Sequence, residues 1–321
     1  ARQKLLSLAM KLEDPNYPLL GPTVKGLYLF GLWQTGSKLR TVTYNMAHFW
    51  TIIFTITEFM DIYTVRHDLN KVMNNLSKTV VTVICNVKAI SYINRQKEWR
   101  QLVTEISQEE IMQLNKEDTI IPKQMNAYKK YTRIVTYLYW MLVFNTNLLL
   151  IISPALKYAS SSSYREEIRR GKEPLPQIVC SWFPFDNTKM PGYVWGVCFH
   201  VVIGSFGCGV LAVYDMNAVA IMSYLKGQMR ILNGKCRCIF HGVVSQEVVL
   251  ERIKECHRHH AVLLKHFKIF NALLSPTMHL YVLVCSCSIF SSVIQFNLLF
   301  LFCWHGNEVA IEVKLFCDFL P

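Results

Sequence analysis

From Ile269 to Asn307 the chain runs 39 residues without an Asp, Glu, Lys or Arg. Such a stretch is costly to expose to water and costs nothing to place in a bilayer. As a single helix it would extend roughly 58 Å at about 1.5 Å per residue, nearly twice the roughly 30 Å hydrocarbon core of a membrane. The run is therefore expected to form two short spans, or a shortened copy of two longer ones, rather than one helix. It closes on the hexad CWHGNE, Cys303 to Glu308.

Three other stretches repeat the signal. Thr41 to Thr57 is uncharged and rises into Glu58 and Asp61, Ile134 to Leu156 is uncharged throughout, and Met190 to Tyr214 carries only the titratable His200. A fifth, weaker segment between Lys71 and Tyr92 is broken by Lys78 and Lys88, and it is assigned as a span because the topology needs it. With 52% hydrophobic and 17% charged residues, the composition is that of a membrane protein rather than of a large soluble core. No secretory signal stands out, since Arg2, Lys4, Lys11, Glu13 and Asp14 interrupt the apolar positions of the first forty residues. The first residue is Ala1 rather than Met, so the natural start is expected upstream. The eleven cysteines sit mostly inside apolar runs, which is free-thiol packing usage and not a disulfide framework.

The net charge of +12 follows the membrane rather than nucleic acid. With spans near 41–62, 72–92, 134–156, 192–225 and 269–290, alternate connections hold 23 basic residues against 8. The richer set includes the N-terminal forty residues, and by the positive-inside rule it faces the cytoplasm. The fold class expected is all-α, a polytopic membrane helix bundle with a cytoplasmic N-terminus. Residues 1–40 read as a lead-in, where Pro15, Pro18 and Pro22 oppose any long helix before Val24. The apolar cluster Leu27 to Trp33 then either lies at the headgroup boundary or packs on the bundle.

Amphipathic helices are expected to project into the cytoplasm at three places. One carries Tyr92, Trp99, Leu102, Val103 and Ile106; another Val219, Met222, Leu225 and Met229; the last Val249, Ile253, Cys256, His260, Leu263 and Phe267. On the outer side, Ser160 to Gly192 contains Pro174, Pro176, Pro184 and Pro191 with Trp182, Phe183 and Phe185, a non-helical loop heavy enough to fold back as a lid.

Chemistry is sparse. Cys256, His257, His259 and His260 form the densest set of metal-ligand types, but no second cluster completes a site, and the face of a basic helix accounts for them. No nucleophile elbow, phosphate loop or HExxH motif occurs, so no enzyme, metal or cofactor is implied. Glu58 and Asp61 read as a solvated helix end. Lys88 and Asp215 read as structural groups at the inner ends of their spans, and no paired intramembrane charges are expected. The outer half of the bundle is rich in aromatic and aliphatic groups. Phe144, Asn147, Leu148 and Ile151 in the third span and Tyr193, Trp195, Phe199 and Ile203 in the fourth either line a cavity for a small, volatile or lipophilic ligand or simply pack.

Three stretches carry a family resemblance. Leu175 to Trp195 (LPQIVCSWFPFDNTKMPGYVW), His257 to Phe290, and Phe300 to Val309 (FLFCWHGNEV) resemble, in this order, elements of the insect odorant receptors, and the likeness spans roughly residues 41–312. The resemblance implies a seven-helix, ligand-selective subunit of an odorant-gated, non-selective cation channel, a hetero-tetramer with an obligate co-receptor subunit, in the plasma membrane of olfactory sensory neuron dendrites. It also implies a ligand pocket in the outer half, formed here by Phe144, Asn147, Leu148, Ile151, Tyr193, Phe199 and Ile203, and a pore lined by the seventh helix. A G-protein-coupled receptor would need the opposite orientation, and neither a DRY nor an NPxxY motif is present. A transporter is the alternative from another class.

Two departures from the family pattern stand out. Val293 and Phe300 are joined directly where the family has an inter-helix loop and most of a sixth helix, so five to six spans of the expected seven are read here. After Glu312 the expected continuation is replaced by VKLFCDFLP, an aberrant tail over residues 313–321. Taken literally, that sequence leaves a non-functional fragment without the pore helix.

Overall fold

The structure, a computed structural model, describes residues 14–318 except 15, 35, 116–119, 172–173 and 243–244. Among the described residues it has eight helices and no strand. In chain order they are α1 (Gly21–Leu29), α2 (Lys38–Thr64), α3 (Leu69–Asn94), α4 (Gln96–Leu114), α5 (Ile120–Ser160), α6 (Ser162–Arg169), α7 (Gly192–Arg237) and α8 (Gln246–Asp318).

Local chemistry sets several boundaries. Pro22 lies in the first turn of α1, where a missing N–H costs nothing, so the helix begins three residues before Val24 despite the three prolines. It ends at Gly31, whose φ of 68° only glycine adopts freely, and the Leu32 N–H reaches back to the Leu27 carbonyl at 2.9 Å. The side chains of Ser37, Asp68 and Ser161 accept backbone N–H groups at the starts of α2, α3 and α6.

Four helical stretches are long and apolar enough to cross a membrane: Lys71–Asn94, Pro122–Ser160, Gly192–Arg237 and Gln246–Ser286. Hydropathy thus picks out α3, which the sequence reading placed on topology alone, and passes over α2. The reason is composition: α2 dilutes its apolar residues with Asn45, His48, Glu58, Asp61 and a series of threonines, whereas the valines, isoleucines and Cys85 of α3 outweigh Lys78 and Lys88.

The closing run departs from expectation. Two short spans were expected, but the chain continues as a single helix, α8, of 73 residues. Between Val293 and Phe300 the sequence offers neither glycine nor proline to turn it, and Pro276 leaves the helix continuous.

α7 is the central post, packing against α1, α2, α3, α5 and α8. At its inner, basic end lies the main core. Leu19, Leu20 and Leu27 of the N-terminal segment, Tyr92 of α3, Leu102, Val103 and Ile106 of α4, Ala220 and Ile221 of α7 and Leu273 of α8 are wholly buried together. Trp99 stacks on Tyr92 with ring centroids 5.1 Å apart and meets Tyr214 and Phe270 edge-on. The N-terminal apolar cluster therefore packs into the bundle rather than lying at a headgroup boundary. Close approach makes this possible: a side chain at Gly209 of α7 would overlap the Phe30 ring.

The first projecting stripe is buried as expected, and the other two are rotated. On α7 the inward residues are Asn217, Ile221, Tyr224, Gln228 and Ile231, while Met222 and Met229 are exposed. On α8 the buried positions Cys256, Leu263, Phe270 and Thr277 recur every seven residues, and Ile253 and Phe267 face outward. Each helix has apolar residues on more than one face, so hydrophobicity alone did not mark the packed one.

Candidate ligand-binding site

Above the core the helices separate around a cavity of about 470 Å³. Its walls come from α2 (Thr51, Phe54, Glu58), α3 (Lys78, Val81, Thr82, Cys85, Asn86), α5 (Tyr139 to Ile151) and α7 (His200 to Leu211). Small residues on α7 make the space, since a side chain at Gly204 would meet nothing within 4 Å. The outer loop closes the top. Ile178 and Val179 line the cavity, the Trp182 N–H donates to the Thr57 carbonyl at 3.1 Å, and the Tyr193 hydroxyl donates to the Pro176 carbonyl at 2.9 Å. Phe183 packs on Phe185, Phe199 and His200, so the loop is the aromatic lid its composition predicts.

Of the seven residues expected at a ligand pocket, Asn147, Ile151 and Ile203 line this cavity. Tyr193 borders a small crevice beneath the lid, next to Phe183 and His200. Phe199 stands behind the wall, its ring against Trp50, Phe54 and Phe183. Phe144 and Leu148 do not reach the cavity: one helical turn apart, they share the outward face of α5 and are 64% and 41% exposed. Trp195 is likewise exposed.

The polar side chains inside the bundle are what the sequence reading undervalued. Glu58 is not a solvated helix end but is buried against α3, where Thr82 Oγ1 donates to its Oε2. Asp61 accepts from Asn75 Nδ2 at 2.7 Å, which also buries the lone sequon at Asn75. Asn86 Nδ2 donates to Thr55 Oγ1 at 2.7 Å and Thr51 Oγ1 donates to Asn86 Oδ1 at 2.7 Å, tying α2 to α3. Asn147 Nδ2 donates to Ser205 Oγ at 3.0 Å, tying α5 to α7.

Just beyond the cavity wall a second expectation is corrected, that of no paired intramembrane charges. Lys88 of α3, 1% exposed, donates to Asp215 Oδ1 of α7 at 2.6 Å. The Tyr139 hydroxyl, which lines the cavity, donates to Asp215 Oδ2 at 3.1 Å, and the Lys88 ammonium sits 4.6 Å from the Tyr281 ring of α8. One polar relay thus joins the cavity wall to four helices. An ionisable residue inside an apolar span was the signal that could have found it.

Elsewhere, no three His, Cys, Asp or Glu side chains converge as a metal site among the described residues. Cys256 is buried and His260 exposed, so the densest histidine cluster does not share one environment. Cys85, Cys180, Cys198, Cys208, Cys236, Cys238, Cys256, Cys285 and Cys303 are free thiols.

Residues 68–299 match the family model described as 7tm Odorant receptor. The chain belongs to the insect odorant receptor family. Solved structures with the same fold include the olfactory receptor OR5 of Machilis hrabei, at 14% identity over 84% of this chain and 76% of that one, with a TM-score of 0.51. The same receptor in complex with eugenol covers 87% of this chain and 79% of its own, with a TM-score of 0.54 at 14% identity. No curated protein matches at significant similarity. This odorant receptor is therefore a multi-pass membrane protein of helical-bundle fold, in a family of receptors rather than enzymes.

Proposed function

We propose that this odorant receptor is a ligand-selective subunit of a heteromeric odorant-gated cation channel, acting with the family's co-receptor subunit in the plasma membrane of olfactory neuron dendrites. The observation that carries the reading is the cavity of about 470 Å³, lidded and mostly apolar, in the outer half of the bundle. Its volume falls within the range of small-molecule sites, and its walls hold a volatile by shape and dispersion with few polar contacts. Support from outside the chain comes from a receptor of the same fold solved with eugenol bound.

A ligand shifts a receptor's equilibrium only as far as it binds one state better than the other. The relay from Tyr139 through Asp215 and Lys88 to Tyr281 is where such a difference would reach α8. Filling the cavity changes the packing of Tyr139, and the buried ion pair transmits the displacement because breaking its geometry is costly.

The test is co-expression of this chain with the co-receptor subunit in cells otherwise lacking odorant receptors, recording cation current to a broad volatile panel. A dose-dependent current that needs both subunits is expected. Silence across the panel, with the protein confirmed at the cell surface, would overturn the reading. Labelling the N-terminus in intact cells supplies a second check, since surface accessibility there would reverse the orientation and favour a G-protein-coupled arrangement.

A further inference from the structure

Two cavity-wall side chains are buried with a polar atom unmet. Glu58 is 1% exposed and its Oε1 has no hydrogen-bond partner, while Oε2 is taken by Thr82. His200 is 4% exposed and its Nδ1 has none, while Nε2 faces Ser181 Oγ at 2.7 Å. Both residues line the cavity. Phe54 links them, lying one helical turn before Glu58 on α2 with its ring centroid 5.6 Å from that of His200. The lid segment carrying Ser181 is fixed beside α2 by the Trp182 to Thr57 hydrogen bond.

The pair has complementary needs. When Ser181 donates to Nε2, the neutral imidazole carries its proton on Nδ1 and is a donor, whereas a carboxylate oxygen is an acceptor. Buried donors and acceptors are seldom left unmet, and each specific exception calls for a partner. A group that donates and accepts at one atom serves both, and a hydroxyl is the simplest. Charged ligands gain less: an ammonium drawn to Glu58 is repelled by Lys78 on the same wall, and a carboxylate drawn to Lys78 is repelled by Glu58.

We propose that the cavity selects a small neutral molecule carrying a hydroxyl, an alcohol or phenol, whose O–H donates to Glu58 Oε1 and whose oxygen accepts from His200 Nδ1. This deepens the odorant-receptor reading and rests on it only for its biological setting. The apolar body of the ligand lies toward Ile151 and Ile203, and the hydroxyl points to the lid.

Matched pairs that differ only in the hydroxyl test this: a primary alkanol against its methyl ether, and a phenol against its anisole. Binding is read as thermal stabilisation of the purified receptor in lipid nanodiscs, which needs no channel activity. The wild type is expected to bind the hydroxyl member at least about tenfold more tightly, the weight of one good hydrogen bond to a buried group. Glu58→Leu should erase that preference by weakening the hydroxyl member far more than the ether, and the ether binding that remains reports that the site is intact. If Glu58→Leu does not fold, Glu58→Gln serves, with the preference expected to fall several-fold. Equal binding of both members by the wild type overturns the proposal, as does an equal loss for both in either variant, or no binding of any pair. Hydroxyl-selective binding without odorant-evoked current would leave this inference standing and sink the channel reading alone.

Discussion

The inner and outer halves of the bundle share helices, yet one is solid and the other hollow. At the basic end, Trp99, Tyr92, Tyr214 and Tyr224 interlock with aliphatic residues from five segments, all nearly inaccessible. Along the same α7, some three turns outward, Gly204 has empty space before it and His200 keeps a nitrogen unmet. The contrast shows a division of labour along single helices. Inner residues hold the helices in register, and this lets outer ones stand apart around a ligand-sized void without collapsing, as close-packed interiors otherwise do.

Substitutions sort by which half they strike. The largest effect is expected from Trp99→Ala, which empties the middle of the solid half at a cost of about 3–5 kcal/mol. Thermal melting of detergent-solubilised receptor should show little folded protein, and a melt near wild type would erase the contrast. Next comes Lys88→Met at the boundary between halves, expected to lose roughly 3 kcal/mol because Asp215 keeps a charge without its partner. The double variant Lys88→Met, Asp215→Leu should melt closer to wild type than the single one does.

The solid half also carries a pH dependence. Burial pushes the Glu110 carboxyl on α4 up to about 7, although its Oε2 accepts the Leu19 N–H at 3.0 Å. The folded state therefore binds a proton more tightly than the unfolded one, and stability falls as pH rises through the window from about 4.5 to 7, by on the order of 3 kcal/mol. Glu110→Gln should flatten the melting profile between pH 5 and 8, and an unchanged slope would exclude Glu110 as its source. The smallest stability effect is predicted in the hollow half: Gly204→Ala should raise the melt slightly, by about 1 kcal/mol or less, from helix propensity. Gly204→Phe should fold and yet lose odorant-evoked current, and retention of full current would show that ligands bind elsewhere.

Sequence reading located most of the spans and the lid because those depend on strong, additive signals: apolar runs, proline and aromatic density. It also found the packed face of α4, where a helix among charged residues shows its apolar stripe against a polar background. Inside the membrane-spanning helices the logic inverts. Lipid is as apolar as leucine, so Phe144 and Leu148 face outward, and the inward face is marked instead by Thr51, Asn86, Lys88, Asn217 and Thr277. Reading aromatic residues as cavity wall therefore found Ile151 and Ile203 but not Glu58, Tyr139 or the Lys88–Asp215 pair. Polar residues within apolar runs were the better guide.

The N-terminal segment carries a consequence for how the receptor is made. Leu19 is held through its N–H by Glu110 and through its carbonyl by Arg133, which also donates to the Pro18 carbonyl at 2.8 Å. These partners lie 91 and 114 residues downstream. At a synthesis rate of about 5–20 residues per second, Arg133 leaves the ribosome roughly 6 to 23 s after Leu19. This segment thus waits, with its leucines unsheltered, for the helices made after it. It is a latch fastened late, closing only once α4 and α5 have both been made and brought together.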